Sequence, residues 1–109
     1  MSKLYAGVVG APVTAFKSNG AVDYDTFAKQ VNFLIENGVR LIAHPMHIGE
    51  SVNMTDDERC ELAKVLASAA GRRVPTFVHV SHAGTDQAVA LAEHATKVGN
   101  TGVVMMAPY

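Results

Sequence analysis

Short apolar runs alternate with amphipathic stretches along this chain. Leu4 to Val9 is apolar and stops at Gly10 and Pro12, the pattern of a short buried strand. Lys17-Ser18-Asn19-Gly20 is a polar turn with Asn-Gly chemistry. After it, Asp23 is placed to cap a helix in which Phe27, Val31, Leu34 and Ile35 share one face. Asn37-Gly38 ends that helix with the residue types that accept a left-handed backbone. Val39 to Ala43 is a second strand, and the loop from His44 to Asn53 carries two histidines, Gly49 and Glu50. Thr55-Asp56-Asp57-Glu58 has the form of a capping box. Leu62, Val65, Leu66 and Ala69 then give a second helix its apolar face, until Gly71 stops it. Val74 to Val80 is a third strand, with Pro75 near its start, where a missing N–H costs least. Gly84-Thr85-Asp86 opens a third helix with Ala88, Leu91, Ala92 and Ala95 inward, and Gly99-Asn100 closes it. Gly102 to Ala107 is a fourth strand, leading to Pro108-Tyr109.

The order is βαβαβαβ with a repeat of roughly thirty residues, which calls for parallel strands joined by helical crossovers. Residues 1–109 read as one unit, with no low-complexity segment and no linker. Two α/β architectures fit: part of a (β/α)8 barrel, or a small doubly wound sheet. Periodicity does not choose between them. A complete barrel needs about 250 residues, so this chain supplies only about half of one.

Composition narrows the function classes. At 49% hydrophobic and 17% charged, the chain is globular rather than disordered. A formal net charge of −1 gives no electrostatic reason to expect nucleic acid or an anionic membrane surface as partner. No apolar run is long enough to span a bilayer, and the first residues lack a signal-peptide layout. The expectation is a soluble protein. The single cysteine, Cys60, cannot close an internal disulfide, which favours a reducing, cytoplasmic setting.

Five segments then line up with one family. Val13-Thr14-Ala15-Phe16 with Asn19-Gly20 and Val22-Asp23 resembles the T-P-F…G-x-x-D pattern of the dihydrodipicolinate synthase / N-acetylneuraminate lyase family. Gly49-Glu50-Ser51 with Met54-Thr55-Asp56-Asp57-Glu58-Arg59 resembles its G-T-T-G-E-S…L-T-x-x-E-R segment. Gly71-Arg72-Arg73-Val74-Pro75 is similar to the family's lead-in to strand three, and Thr85, Ala88, Ala92 and Ala95 to its next helix. Ala107-Pro108-Tyr109 resembles the start of a P-Y-Y segment ending strand four. Each is weak alone; in this order they are strong together. The resemblance implies the N-terminal half of a (β/α)8 barrel, β1-α1-β2-α2-β3-α3-β4.

It also implies a lyase or aldolase acting on pyruvate or another 2-keto acid through a Schiff base. An iminium is an electron sink that lets a carbon–carbon bond break or form without a free carbanion. No cofactor is implied. Family members carry the Schiff-base lysine on strand six, beyond this sequence. Lys3, Lys17, Lys29, Lys64 and Lys97 all read as lying away from C-terminal strand ends, where barrel chemistry happens. The isolated chain is therefore expected to be inactive. Partners implied are a small 2-keto acid and either further copies of the chain or a complementing C-terminal half-barrel.

The catalytic candidates carried over are His47, in the place of a proton-relay threonine, and Tyr109, matching the first tyrosine of P-Y-Y. Ile48, Gly49 and Glu50 fall on the carboxylate-binding loop, with Ile48 keeping a backbone N–H but lacking the family's hydroxyl. His44, His79 and His82 are further substrate-binding candidates, because the pairs His44/His47 and His79/His82 end adjacent strands. Met46-His47-Ile48 standing for G-T-T departs from the pattern and leaves the substrate's identity open. Two other readings compete. Three of the four histidines with Glu50 form a metal-dependent hydrolase site, or the chain is a non-catalytic module whose open sheet edges seek partners. The blander readings are that Glu50 fixes its loop through backbone N–H groups, and that His94 is a solvated helix residue.

Overall fold

The structure is a computed structural model that describes residues 6–106. Its elements are β1 (Val9–Gly10), α1 (Tyr24–Glu36), β2 (Leu41–His44), α2 (Asp56–Ala70), β3 (Thr76–His79), α3 (Thr85–Lys97) and β4 (Gly102–Val104). The strands form one sheet in sequence order, each parallel to the next. β3 pairs only within the middle of its apolar run, from Thr76 to His79, whereas β2 begins two residues into its run and passes its end to reach His44.

The register assigns the faces. Ile42 pairs with Thr76 and His44 with Val78, while Ala43 pairs with Phe77 and Phe77 with Gly102. Side chains alternate along a strand, and paired residues in neighbouring strands share a face. Ile42, Val78 and Val80 meet Phe27, Val31, Leu62, Leu66, Leu91 and Ala95 from the three helices in one apolar core. The opposite face carries Ala43, Phe77 and His79.

Local signals set the helix boundaries. Asp23 accepts a hydrogen bond from the Thr26 N–H, as expected of an N-cap. At α2 the capping box is closed in both directions. The Thr55 hydroxyl accepts from the Glu58 N–H at 3.1 Å, and the Glu58 carboxylate accepts from the Thr55 N–H at 2.9 Å. Gly71 ends α2 in the left-handed region at φ 55°. Thr55→Ala removes one of these bonds and should lower the unfolding free energy by about 1 kcal/mol in urea, with Thr55→Ser retaining most of it.

Buried polar side chains tie the layers together. Asn100 donates to the Ala63 and Ala95 carbonyls and accepts from the Thr76 hydroxyl, joining α2, α3 and β3. His94 is not simply solvated: its ring Nε2 meets the Cys60 carbonyl at 2.9 Å, linking α3 to α2. Both sheet edges leave apolar surface open, with Val9 55% and Met105 67% exposed.

Candidate active site at the C-terminal ends of the strands

The loop after β2 is compact because glycine allows it to be. A cis peptide joins His44 to Pro45, and His47–Gly49 then forms a single 3-10 turn. The Gly49 N–H donates to the Met46 carbonyl and the Glu50 N–H to the His47 carbonyl, both at 2.9 Å. Gly49 is buried, and a Cβ there would sit 3.1 Å from His44 Cδ2, 3.2 Å from His44 Nε2 and 3.3 Å from the Pro12 carbonyl oxygen. Glu50 turns the chain through the left-handed region at φ 62°, and a second 3-10 turn, Ser51–Asn53, leads to α2. The exposed Ile48 is the second residue of the first turn, so its N–H has no acceptor within that turn.

The four candidate histidines do not converge on one point. His44 is 1% exposed and lies on the helix side of the sheet, its ring 4.4 Å from that of Phe27. Its Nε2 meets the Thr14 hydroxyl at 2.8 Å, and that hydroxyl donates to the Gly49 carbonyl at 2.6 Å. The alternation that sends Ala43 inward sends His44 outward, so it sits beneath the loop rather than in the mouth. Burial first, and the Arg59 charge second, push its pKa down to about 3.

His79 faces inward and is 0% exposed, with neither ring nitrogen in a hydrogen bond of good geometry. Burial, then the Arg59 and His47 charges, lower its pKa, while the nearby Pro45 carbonyl acts the other way. The His47 ring lies edge-on to it, with centroids 6.2 Å apart. His82 is peripheral: its Nδ1 accepts from the Gly84 N–H and its Nε2 meets Asp56 at 3.1 Å, between α3 and α2. It lines a separate cavity of about 220 Å³ with Ser51, Met54, Asp56 and Arg59. Among the described residues, no group of three or more His, Cys, Asp or Glu side chains is placed to hold a metal ion. The hydrolase alternative thus loses the ligand set it needed.

Glu50 is exposed and its carboxylate accepts from the Asn53 side-chain amide at 3.3 Å, so its loop contact is to a side chain rather than to backbone N–H groups. Tyr109 lies outside the described residues. Lys17, Lys29, Lys64 and Lys97 are exposed, in a turn or on helices, and none stands at a C-terminal strand end. The Cys60 thiol is half-buried, and burial followed by Asp56 and Asp57 raises its pKa, which disfavours the thiolate.

One residue escaped the sequence reading. Arg59 is buried in α2 and its guanidinium donates to the Ser81 carbonyl at 3.0 Å and the His79 carbonyl at 2.7 Å. Its signal was available, since it lies three residues before Leu62, four before Ala63 and seven before Leu66, on the buried stripe.

Residues 4–109 match the model of the Dihydrodipicolinate synthetase family. The chain belongs to this family. It is 35% identical over 103 residues to the 4-hydroxy-tetrahydrodipicolinate synthase of Methanococcus aeolicus, covering 94% of this chain and 35% of that one. The corresponding protein of Chelativorans sp. is 32% identical over 106 residues, covering 97% and 36%. Among solved structures, dihydrodipicolinate synthase from Aquifex aeolicus superposes with a TM-score of 0.91 at 30% identity, covering 96% of this chain and 36% of that one. A family member from E. coli K12, solved in complex with pyruvate, gives 0.92 at 26% identity, covering 97% and 36%. The chain thus spans about a third of the length of the relatives it matches. Its four parallel strands are the N-terminal half of the family's (β/α)8 barrel.

Proposed function

We propose that this chain supplies the carboxylate-binding side of a carbon–carbon or carbon–oxygen lyase acting on pyruvate or a related 2-keto acid. The observation that carries the reading is the Met46–Glu50 loop. Gly49 is clamped by Thr14 at the C-terminal end of β2, which leaves the Ile48 N–H without a partner in its turn and places the His47 ring beside inward-facing His79. Backbone N–H groups suit a carboxylate, and an imidazole suits proton transfer near neutral pH. His47 acts as acid and base in place of the relay threonine, with Tyr109 as its candidate partner. Ile48, Gly49 and Glu50 form the loop under the carboxylate, and His79 bounds the pocket from β3.

The Schiff base needs a lysine at a C-terminal strand end, and the four described lysines stand elsewhere. We assign that lysine to strands outside these 109 residues, so catalysis requires a barrel completed by further chain or by a second polypeptide. The apolar edges at Val9 and Met105 favour such association. Among the described residues no helix is long and apolar enough to cross a membrane; we assign the protein to the cytoplasm on its single unpaired cysteine.

Borohydride reduction in the presence of pyruvate tests the division of labour, because it converts an iminium into a stable secondary amine detected by mass. The 109-residue chain alone should give no adduct. Mixed with a polypeptide carrying the remaining strands, it should give an adduct on that polypeptide. An adduct on Lys17, Lys29, Lys64 or Lys97 would overturn the assignment.

A further inference from the structure

We propose that His44 is a positioning residue for the Gly49–Glu50 turn, acting through the Thr14 hydroxyl as the neutral imidazole protonated on Nε2. The proposal rests on reading that turn as the carboxylate loop. A threonine hydroxyl has one proton, and in Thr14 that proton is directed at the Gly49 carbonyl across 2.6 Å. The 2.8 Å contact to His44 Nε2 must then run the other way, with the ring N–H donating to the hydroxyl oxygen.

The opposite tautomer would set the Nε2 lone pair against an oxygen whose proton is already committed. The contact would become repulsive, or Thr14 would turn away from Gly49. The doubly protonated ring fails for another reason. Its second N–H would be Nδ1, which is buried without a hydrogen-bond partner. An unpaired buried donor costs about 1–3 kcal/mol, and a buried charge more. Only one protonation state satisfies the chain from β2 through Thr14 to the loop carbonyl.

Contact reinforces the bond. The absent Gly49 Cβ would press on His44 Cδ2 and Nε2, so the ring edge is the floor on which the turn rests. The ring is held from below by Phe27 of α1 and in depth by its burial. His44 therefore carries the position of the α1 layer up to the loop, and the loop's amides cannot shift without breaking a buried hydrogen bond.

Long-range ¹⁵N–¹H correlation spectra of the 109-residue protein, labelled at histidine, read the tautomer directly. The expected result is a protonated Nε2 and a bare Nδ1 on His44, unchanged between about pH 8 and 5. A protonated Nδ1, or a ring titrating in that range, would overturn the proposal. Rescue separates positioning from space-filling. Gln can present an N–H where Nε2 stood, whereas Leu fills the volume without a donor. Amide exchange at Gly49 and Glu50, referenced to Val80 on β3, should stay near the parent rate in His44→Gln. In His44→Leu it should rise about tenfold, the size of one lost buried hydrogen bond. Equal rates in the two variants would overturn the proposal. If His44→Leu fails to fold, Thr14→Ser and Thr14→Val make the same comparison, with the rise expected only in Thr14→Val. None of these readouts needs a ligand, so a failure of pyruvate to bind would sink the carboxylate reading without imitating failure here.

Discussion

Arg59→Leu should lower the unfolding free energy by about 3 kcal/mol, through hydrogen-bond acceptors left stranded rather than through lost packing. The guanidinium is a planar fork, and it spans two carbonyls at the end of β3, those of His79 and Ser81. Leucine keeps the apolar stem in the α2 stripe but leaves both acceptors without these donors inside the fold. Each stranded acceptor costs on the order of 1–3 kcal/mol, and the relief from no longer burying a cation offsets part of that. Arg59→Lys should recover only part of the loss, since one ammonium cannot reproduce the fork's geometry. Urea unfolding of the three proteins checks the order. A loss below about 0.5 kcal/mol in Arg59→Leu would mean that water replaces the guanidinium at no cost, and that α2 and β3 are held by packing alone.

The second large effect is acid sensitivity. His44 and His79 both have pKa values lowered by burial and by the Arg59 charge, His44 to about 3. Above the unfolded value of about 6.5 both rings are neutral in either state and contribute no pH dependence. Below it the unfolded chain takes up protons that the folded one refuses, so stability falls as the pH falls, until His44 also protonates in the fold near 3. Between about pH 7.5 and 5, His44 alone should account for roughly 2 kcal/mol of lost stability, with His79 adding in the same direction. Denaturant midpoints at the two pH values measure it, and His44→Gln should flatten the profile. A parent protein equally stable at both would mean that the buried rings accept protons in place.

Much of the fold was legible because it rests on local signals that act within a few residues. The Asp23 cap, the Thr55–Glu58 box and the glycines closing the helices are side-chain-to-backbone devices, and each stands where the sequence put it. Parallel order followed from strand–helix alternation, while the choice of barrel came from the family resemblance and not from periodicity. Strand bounds were less legible: β3 is two residues shorter at its start and one at its end than its apolar run, while β2 passes Ala43 to include His44, because backbone pairing does not follow side-chain hydrophobicity.

The site was less legible, for a geometric reason. His44 and His47 are three residues apart and looked like one pair, but strand alternation and the following 3-10 turn send them to opposite sides of the sheet. Only His47 and His79 come together. His82 is taken by Asp56, a partner 26 residues away that spacing does not reveal. Arg59 was hidden by its charge, although its register with Leu62 and Leu66 put it among buried residues. The Thr14–His44–Gly49 chain spans separations of 30 and 35 residues, which no local pattern encodes.

Titration of the ¹⁵N-labelled chain with pyruvate tests most directly whether the loop after β2 recognises a keto-acid carboxylate. Amide shifts should concentrate at Ile48, Gly49 and Glu50, with the His47 ring responding at the same concentrations. Shifts centred elsewhere, or a loop that stays silent while pyruvate binds another part of the sheet, would contradict the account.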